Sequence, residues 1–215
     1  GGVVQTKQGN TLSGVNVELV GNPLVHVVSD GSGSFSLSGL PYKNQYAIRM
    51  TLNGYVPTYT RNFYFTGNNT SPIPYVMYTA ADLASWSILA GKGAIAGRAV
   101  DNSNTTVNIG GVVVTARSAL HPGTYYTVTY VNDSGNLGGT ATFTNGRYIV
   151  LNVDDGDAVT LTATKEWWGF LSRTCNTHGD SVSNVVMLGE TVPALPSYTA
   201  TPIYHPVPQN GAAFG

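Results

Sequence analysis

The stretch Ser29-Asp30-Gly31-Ser32-Gly33-Ser34-Phe35-Ser36-Leu37-Ser38-Gly39-Leu40-Pro41 decides the fold. Asp30 and Gly33 are turn chemistry: glycine adopts the left-handed backbone that a tight turn needs. Phe35 and Leu37 follow, two residues apart, so in an extended chain both point to one face. Working outward, Val15-Asn16-Val17-Glu18-Leu19, Tyr126-Thr127-Val128-Thr129-Tyr130 and Leu161-Thr162-Ala163 also alternate, with Asn53-Gly54 and Asn145-Gly146 as punctuation. Alternation broken by short turns predicts an all-β sandwich. One stretch, Ala80 to Ala90, reads as a short helix, and Lys92-Gly93 ends it.

The chain repeats itself once. Leu12-Ser13-Gly14-Val15 matches Ile109-Gly110-Gly111-Val112, Gly33-Ser34-Phe35 with Leu40 matches Gly146-Arg147-Tyr148 with Val153, and Val76-Met77 matches Val186-Met187. Gly14 and Gly33 lie 19 positions apart, Gly111 and Gly146 lie 35 apart. The extra 16 residues place an insertion near 118–141, read as a hairpin that projects from the second copy. The expected organisation is a β-sandwich at 1–79, an accessible linker at 80–92, a second β-sandwich at 93–189 and an extended arm at 190–215.

These residues resemble the carboxypeptidase regulatory-like domain, on Gly14-Val15-Asn16-Val17, Ser29 to Pro41, Tyr46-Ala47-Ile48 and Gly54-Tyr55, with a looser second copy from Ile95-Ala96-Gly97. The resemblance implies two tandem Greek-key, transthyretin-like (Ig-like) sandwiches of an exported bacterial or archaeal surface protein. It says little about activity, because such modules are non-catalytic appendages of many proteins.

Composition narrows the function. Of 215 residues only 10% are charged, and the net charge is −1. Ten scattered Lys and Arg residues give no basic stripe for phosphates, so nucleic acid is not an expected partner. No apolar run reaches the roughly 18 residues of a membrane span. The chain begins at Gly1 without Met and reads as a processed mature form or an excised piece. Low charge with abundant Thr, Asn and Gly points to an extracellular or cell-surface location.

No catalytic constellation is legible. His26, His121, His178 and His205 are scattered, and neither G-x-S-x-G nor H-E-x-x-H occurs. No enzyme activity, metal or cofactor is expected. Cys175 and His178 supply at most two ligands of the roughly four a closed site needs. Cys175 reads as a core thiol, with an intermolecular disulfide or a metal ligand as alternatives. Asp154-Asp155-Gly156-Asp157 reads as a solvated acidic turn. Asn68, Asn69, Asn104 and Asn132 stand in glycosylation sequons.

The remaining candidates are contact residues. Trp167 and Trp168 are adjacent, so in a strand they face opposite ways and one is expected outside the core. Tyr126 and Tyr130 stand on the inserted hairpin. Residues 190–215 carry five prolines between Pro193 and Pro208 and the apolar side chains Leu195, Tyr198, Ile203, Tyr204 and Val207. Such an arm is stiff, cannot be a central strand, and needs a surface to lie on, in the same subunit or the next one. The first copy also lacks a counterpart of Ala94-Ile95-Ala96 before its opening glycine. Together these predict a homo-oligomer or polymer, a structural subunit of a surface filament or matrix. The alternatives are a carbohydrate- or surface-binding accessory module, with cell-surface polysaccharide as partner, and a spacer of a larger surface enzyme.

Overall fold

The computed structural model describes residues 1–67, 71 and 73–192. The first half holds β1 (Gly2–Thr6), β2 (Asn16–Leu19), β3 (Asn22–Val28), β4 (Ser34–Phe35), β5 (Gln45–Tyr46), β6 (Ile48–Thr51), β7 (Thr58–Thr60), β8 (Phe63–Tyr64) and β9 (Tyr75–Met77). Helix α1 (Ala80–Ser85) follows. The second half holds β10 (Gly93–Asp101), β11 (Val113–Arg117), β12 (Tyr125–Tyr126), β13 (Val128–Val131), β14 (Leu137–Gly138), β15 (Arg147–Val153), β16 (Ala158–Thr164), β17 (Trp168–Phe170), β18 (Arg173–Asn176) and β19 (Val182–Thr191). The protein is a β-sandwich protein, as its alternation requires. In β2, for instance, Val17 and Leu19 are buried while Asn16 and Glu18 are not.

The two halves are wound alike. In the first, β1 lies between β4 (antiparallel) and β9 (parallel), facing a layer ordered β3-β2-β6-β7. In the second, β10 lies between β15 (antiparallel) and β19 (parallel), facing β12-β11-β16-β18. Val4, Phe35 and Met77 meet Val17, Leu19, Ile48 and Met50 in the first core. Ile95, Tyr148, Val150 and Met187 meet Val114, Val159, Leu161 and Cys175 in the second.

One local device recurs in both. The Ser29 hydroxyl donates to Leu12 O at 2.7 Å and accepts from Val15 N at 3.0 Å. The Thr142 hydroxyl does the same for Ile109 O and Val112 N, both at 2.9 Å. Four residues later come Gly33 (φ +74°) and Gly146 (φ +66°). A Cβ there would lie 2.5 Å from Val4 O or from Ala99 O, so both positions require glycine.

The insertion does not project. Residues 125–131 pass from one layer to the other: β12 pairs with β11, while β13 pairs with β15 and carries β14 on its outer edge. Val131 and Tyr130 are buried because β13 extends the large sheet over the core.

The halves share a sheet. β19 pairs in parallel with β7, setting Val182, Ser183 and Asn184 against Thr58, Tyr59 and Thr60. The sheet runs β14-β13-β15-β10-β19-β7-β6-β2-β3 across both. The Asn184 amide reaches the edge of β9, accepting from Val76 N at 3.1 Å and donating to Val76 O at 3.0 Å. The stretch 80–92 is not a bare linker. Thr79 and Asp82 form a capping box on α1, and Leu83 and Trp86 are buried against Ala94, Ala96, Ile149 and Val182. Limited proteolysis under native conditions is therefore expected to spare 80–92, and Asn184→Ala to cost about 1–3 kcal/mol by stranding both Val76 backbone groups. Denaturant unfolding measures the second.

Candidate functional site

The internal repeat exposes a difference at one place. In the second half, Gly93–Ala96 lie between β15 and β19, with Gly93 paired to Val153 and Ile95 to Val150. Val150 and Val153 are fully buried there. Gly2 pairs with Phe35 as Gly97 pairs with Tyr148, so Leu37 and Leu40 stand where Val150 and Val153 do. Gly39 and Asn152, at matching positions, both have positive φ (72° and 54°). Yet β4 ends at Phe35, and 36–40 form no ladder. Beside them lies a cavity of about 580 Å³, bordered by Gly1 and lined by Phe35, Leu37, Leu40, Ile48, Phe63 and Phe65. Leu37 and Leu40 are only half-buried. The site is a groove of mixed lining, Ser36 and Ser38 beside the leucines and phenylalanines, next to backbone of residues 36–40 that pairs with no described strand, which is what an added strand needs.

A second surface is β3, the outermost strand of the shared sheet at the first-half end. Its seven residues include Leu24, 88% exposed, and Pro23, which removes a backbone donor. The proline blunts this edge, whereas residues 36–40 contain none.

The contact residues expected from sequence are dispersed. Leu195, Tyr198, Ile203, Tyr204 and Val207 lie outside the described residues, as do Asn68 and Asn69. Tyr130 is a core residue, 3% exposed, its hydroxyl accepting from Val114 N at 2.9 Å, and so it is not a surface contact. Trp167 is 58% exposed at a turn with φ +64°, while Trp168 packs on the core beneath Lys165. Tyr125, 62% exposed, pairs with Arg117 at one end of β11, and Trp167 lies beyond Val113 at the other. Four residues of strand, ~13 Å, separate those ends, so Tyr125 and Trp167 do not form one platform for a sugar ring. Asn104 is exposed and accepts from Thr106; Asn132 Oδ1 accepts from Ser134 N and Asn136 N, holding its own turn.

The acidic turn is a structural tie rather than a solvated loop. Asp157 is 0% exposed and accepts from Ser118 Oγ at 2.6 Å, from Ala119 N and Leu120 N at 3.0 Å, and from the Tyr126 hydroxyl at 2.7 Å. Burial pushes its carboxyl up, but the bonds from Ser118, Tyr126, Leu120 and Ala119 outweigh it and hold it below the ordinary 3.8. Tyr126 is half-buried in this network, not free for a partner. Burial, then the Asp157 carboxylate, push its phenol up to about 12. Asp154 pairs with Lys92, tying the start of β10 to the same turn. Cys175 is buried opposite Val159, and burial pushes its thiol up to about 11, far from a reactive thiolate. His178 stacks on Tyr59 at 3.9 Å across the junction of the halves. Among the described residues no group of three or more His, Cys, Asp or Glu side chains could hold a metal ion. No helix among them is long and apolar enough to cross a membrane.

Residues 1–77 match the carboxypeptidase regulatory-like domain family. A search of curated proteins returns no match. Among solved structures the chain is similar to a streptococcal ancillary pilin at 16% identity and TM-score 0.32, covering 90% of this chain and 62% of that one. It is similar to the shaft pilin SpaA of Lactobacillus rhamnosus GG at 10% identity and TM-score 0.35, covering 91% and 97%. The major pilin T-13 of Streptococcus pyogenes gives 9% identity and TM-score 0.28, covering 88% and 95%. At these scores the pilins say nothing about how this chain works.

Asp157→Asn is expected to destabilise the fold by about 2–3 kcal/mol at neutral pH, through weakened charge-assisted bonds to Ser118, Ala119 and Leu120. Because the native carboxyl sits below 3.8, its contribution is complete above that value and is lost as pH falls through the native pKa. Urea unfolding at pH 7 and pH 3 should show the gap between wild type and variant shrinking at the lower pH.

Proposed function

We propose that the protein is a non-enzymatic structural subunit of an extracellular or cell-surface filament or matrix. Its two halves, 1–79 and 93–189, are read as two copies of the same module. Copies join when the Pro-rich C-terminal arm of one lies in the first-half groove of the next. The observation that carries this reading is the groove itself: a cavity with Leu37, Leu40, Phe63 and Phe65 among its walls, beside residues 36–40, which pair with no described strand.

The arm suits it chemically. Ser197-Tyr198-Thr199-Ala200-Thr201 is a five-residue stretch without proline, long enough to replace a four-residue strand segment, and Tyr198 and Ala200 fall on one face. Each large apolar side chain removed from water supplies roughly 1.5–3 kcal/mol before ordering costs, and a stiff arm loses less entropy on docking than a flexible one. Low surface charge leaves little repulsion between copies.

The test uses two single-cysteine variants, so that no disulfide can form within one chain and a pair of unlike chains is told from a symmetric pair by mass. Leu37→Cys in one preparation and Tyr198→Cys in another, both with Cys175→Ser, are mixed and oxidised. The expected product is a disulfide-linked pair of unlike chains, and truncation after Val192 should give a folded protein that no longer polymerises. That point preserves β19, which runs to Thr191 and pairs there with β17. Normal polymerisation of the truncated chain, or absence of the mixed disulfide, would overturn the reading.

A further inference from the structure

A second cavity, of about 510 Å³, lies where the first half covers the outer face of the second-half sheet. Lys7, Tyr78, Trp86, Arg98, Arg147 and Asn184 are among its walls. Arg98 on β10 and Arg147 on β15 are direct cross-strand partners. Directly opposed side chains on an antiparallel pair have Cβ atoms roughly 4.5–5.5 Å apart, and like charges there repel. Both guanidinium groups are half-buried.

Asp133 also lines the cavity, and among the described residues neither it nor Asp82 forms an ion pair with either arginine. Asp82 is held by Lys7 and by Thr79, whose hydroxyl donates at 2.9 Å and whose amide donates at 2.8 Å. Asp133 accepts from the Thr144 hydroxyl at 2.5 Å. Arg147 donates to Lys7 O at 3.3 Å, a neutral acceptor. Among the described residues, neither arginine has an ion pair and Arg98 has no hydrogen bond. Burial, then Arg147, lower the Arg98 pKa, yet an arginine so shifted stays charged at neutral pH. Two opposed cations are thus kept in a cleft of small-ligand size, Arg147 using one donor on Lys7 O and Arg98 none among the described residues.

We propose that this cleft binds an oxyanion, a carboxylate or phosphate group of a small ligand, gripped between the Arg98 and Arg147 guanidinium groups. Planar guanidinium donors match both anions in a bidentate manner. Half-buried Tyr78, Pro74 and Val186 wall the same cavity and give apolar area for the body of a ligand such as an acidic sugar. The site is independent of how copies join.

Titration calorimetry on the full chain tests it, at fixed ionic strength, with inorganic phosphate in one arm and glucuronate in the other. Saturable one-to-one binding of either probe is expected; phosphate alone marks a simple anion site, and glucuronate an acidic-sugar site. Arg98→Gln and Arg147→Gln should each weaken binding at least tenfold with unchanged circular dichroism. Arg117→Gln, on exposed β11, should leave it unchanged. If one cleft variant fails to fold, the other with the Arg117 control still decides. No saturable binding of either probe, or equal loss in the Arg117 variant, would overturn the proposal.

Discussion

In the second half, Gly93–Ala96 fill the space between β15 and β19 and pair on both sides. That pairing lets β15 run seven residues and drives Val150 and Val153 to full burial. The first half repeats the Ser/Thr hydroxyl latch, the crowded glycine and the strand order, while its residues 36–40 pair with no described strand. Its β4 stops after two residues and Leu37 and Leu40 face a cavity. Backbone of 36–40 that is unpaired among the described residues, with Leu37, Leu40 and Phe65 beside it, offers an extended segment both hydrogen-bond and apolar partners, and the proposed assembly depends on it.

The rest of the structure is built to hold that groove steady. β19 pairs with β7, Asn184 ties β19 to β9, and Trp86 of the connecting stretch is buried against β10 and β15. The first half is thus anchored to the second along one sheet, and a strand added at one end would be held by a rigid pair rather than a hinged one. Lys92 with Asp154 fixes the entry to β10.

Much of the fold was legible because its requirements are local. Gly33 and Gly146 stand where no Cβ fits, and their matching neighbours Leu12 and Ile109 mark the repeat. The 16-residue offset located the insertion, since only the chain between those landmarks differs. What escaped was decided by partners distant in sequence. Thr58-Tyr59-Thr60 has no apolar run to announce a strand, yet it joins the halves because β19 offers an edge. Asp157 in a run of carboxylates reads as solvated, but Ser118 and two backbone amides cover it. Tyr130 looked like a surface tyrosine, because the hairpin was read as projecting and nothing in the sequence shows that β13 lies on β15. The Arg98–Arg147 pair, 49 positions apart, is visible only once the register is known.

The central claim is that the first-half groove receives the arm of another copy. Hydrogen exchange on protein truncated after Val192, with and without a synthetic peptide of residues 193–215, measures this directly. The account predicts that the peptide slows exchange of amides within 36–40 and leaves β3 unchanged. Protection confined to β3, or no protection anywhere at saturating peptide, would contradict it.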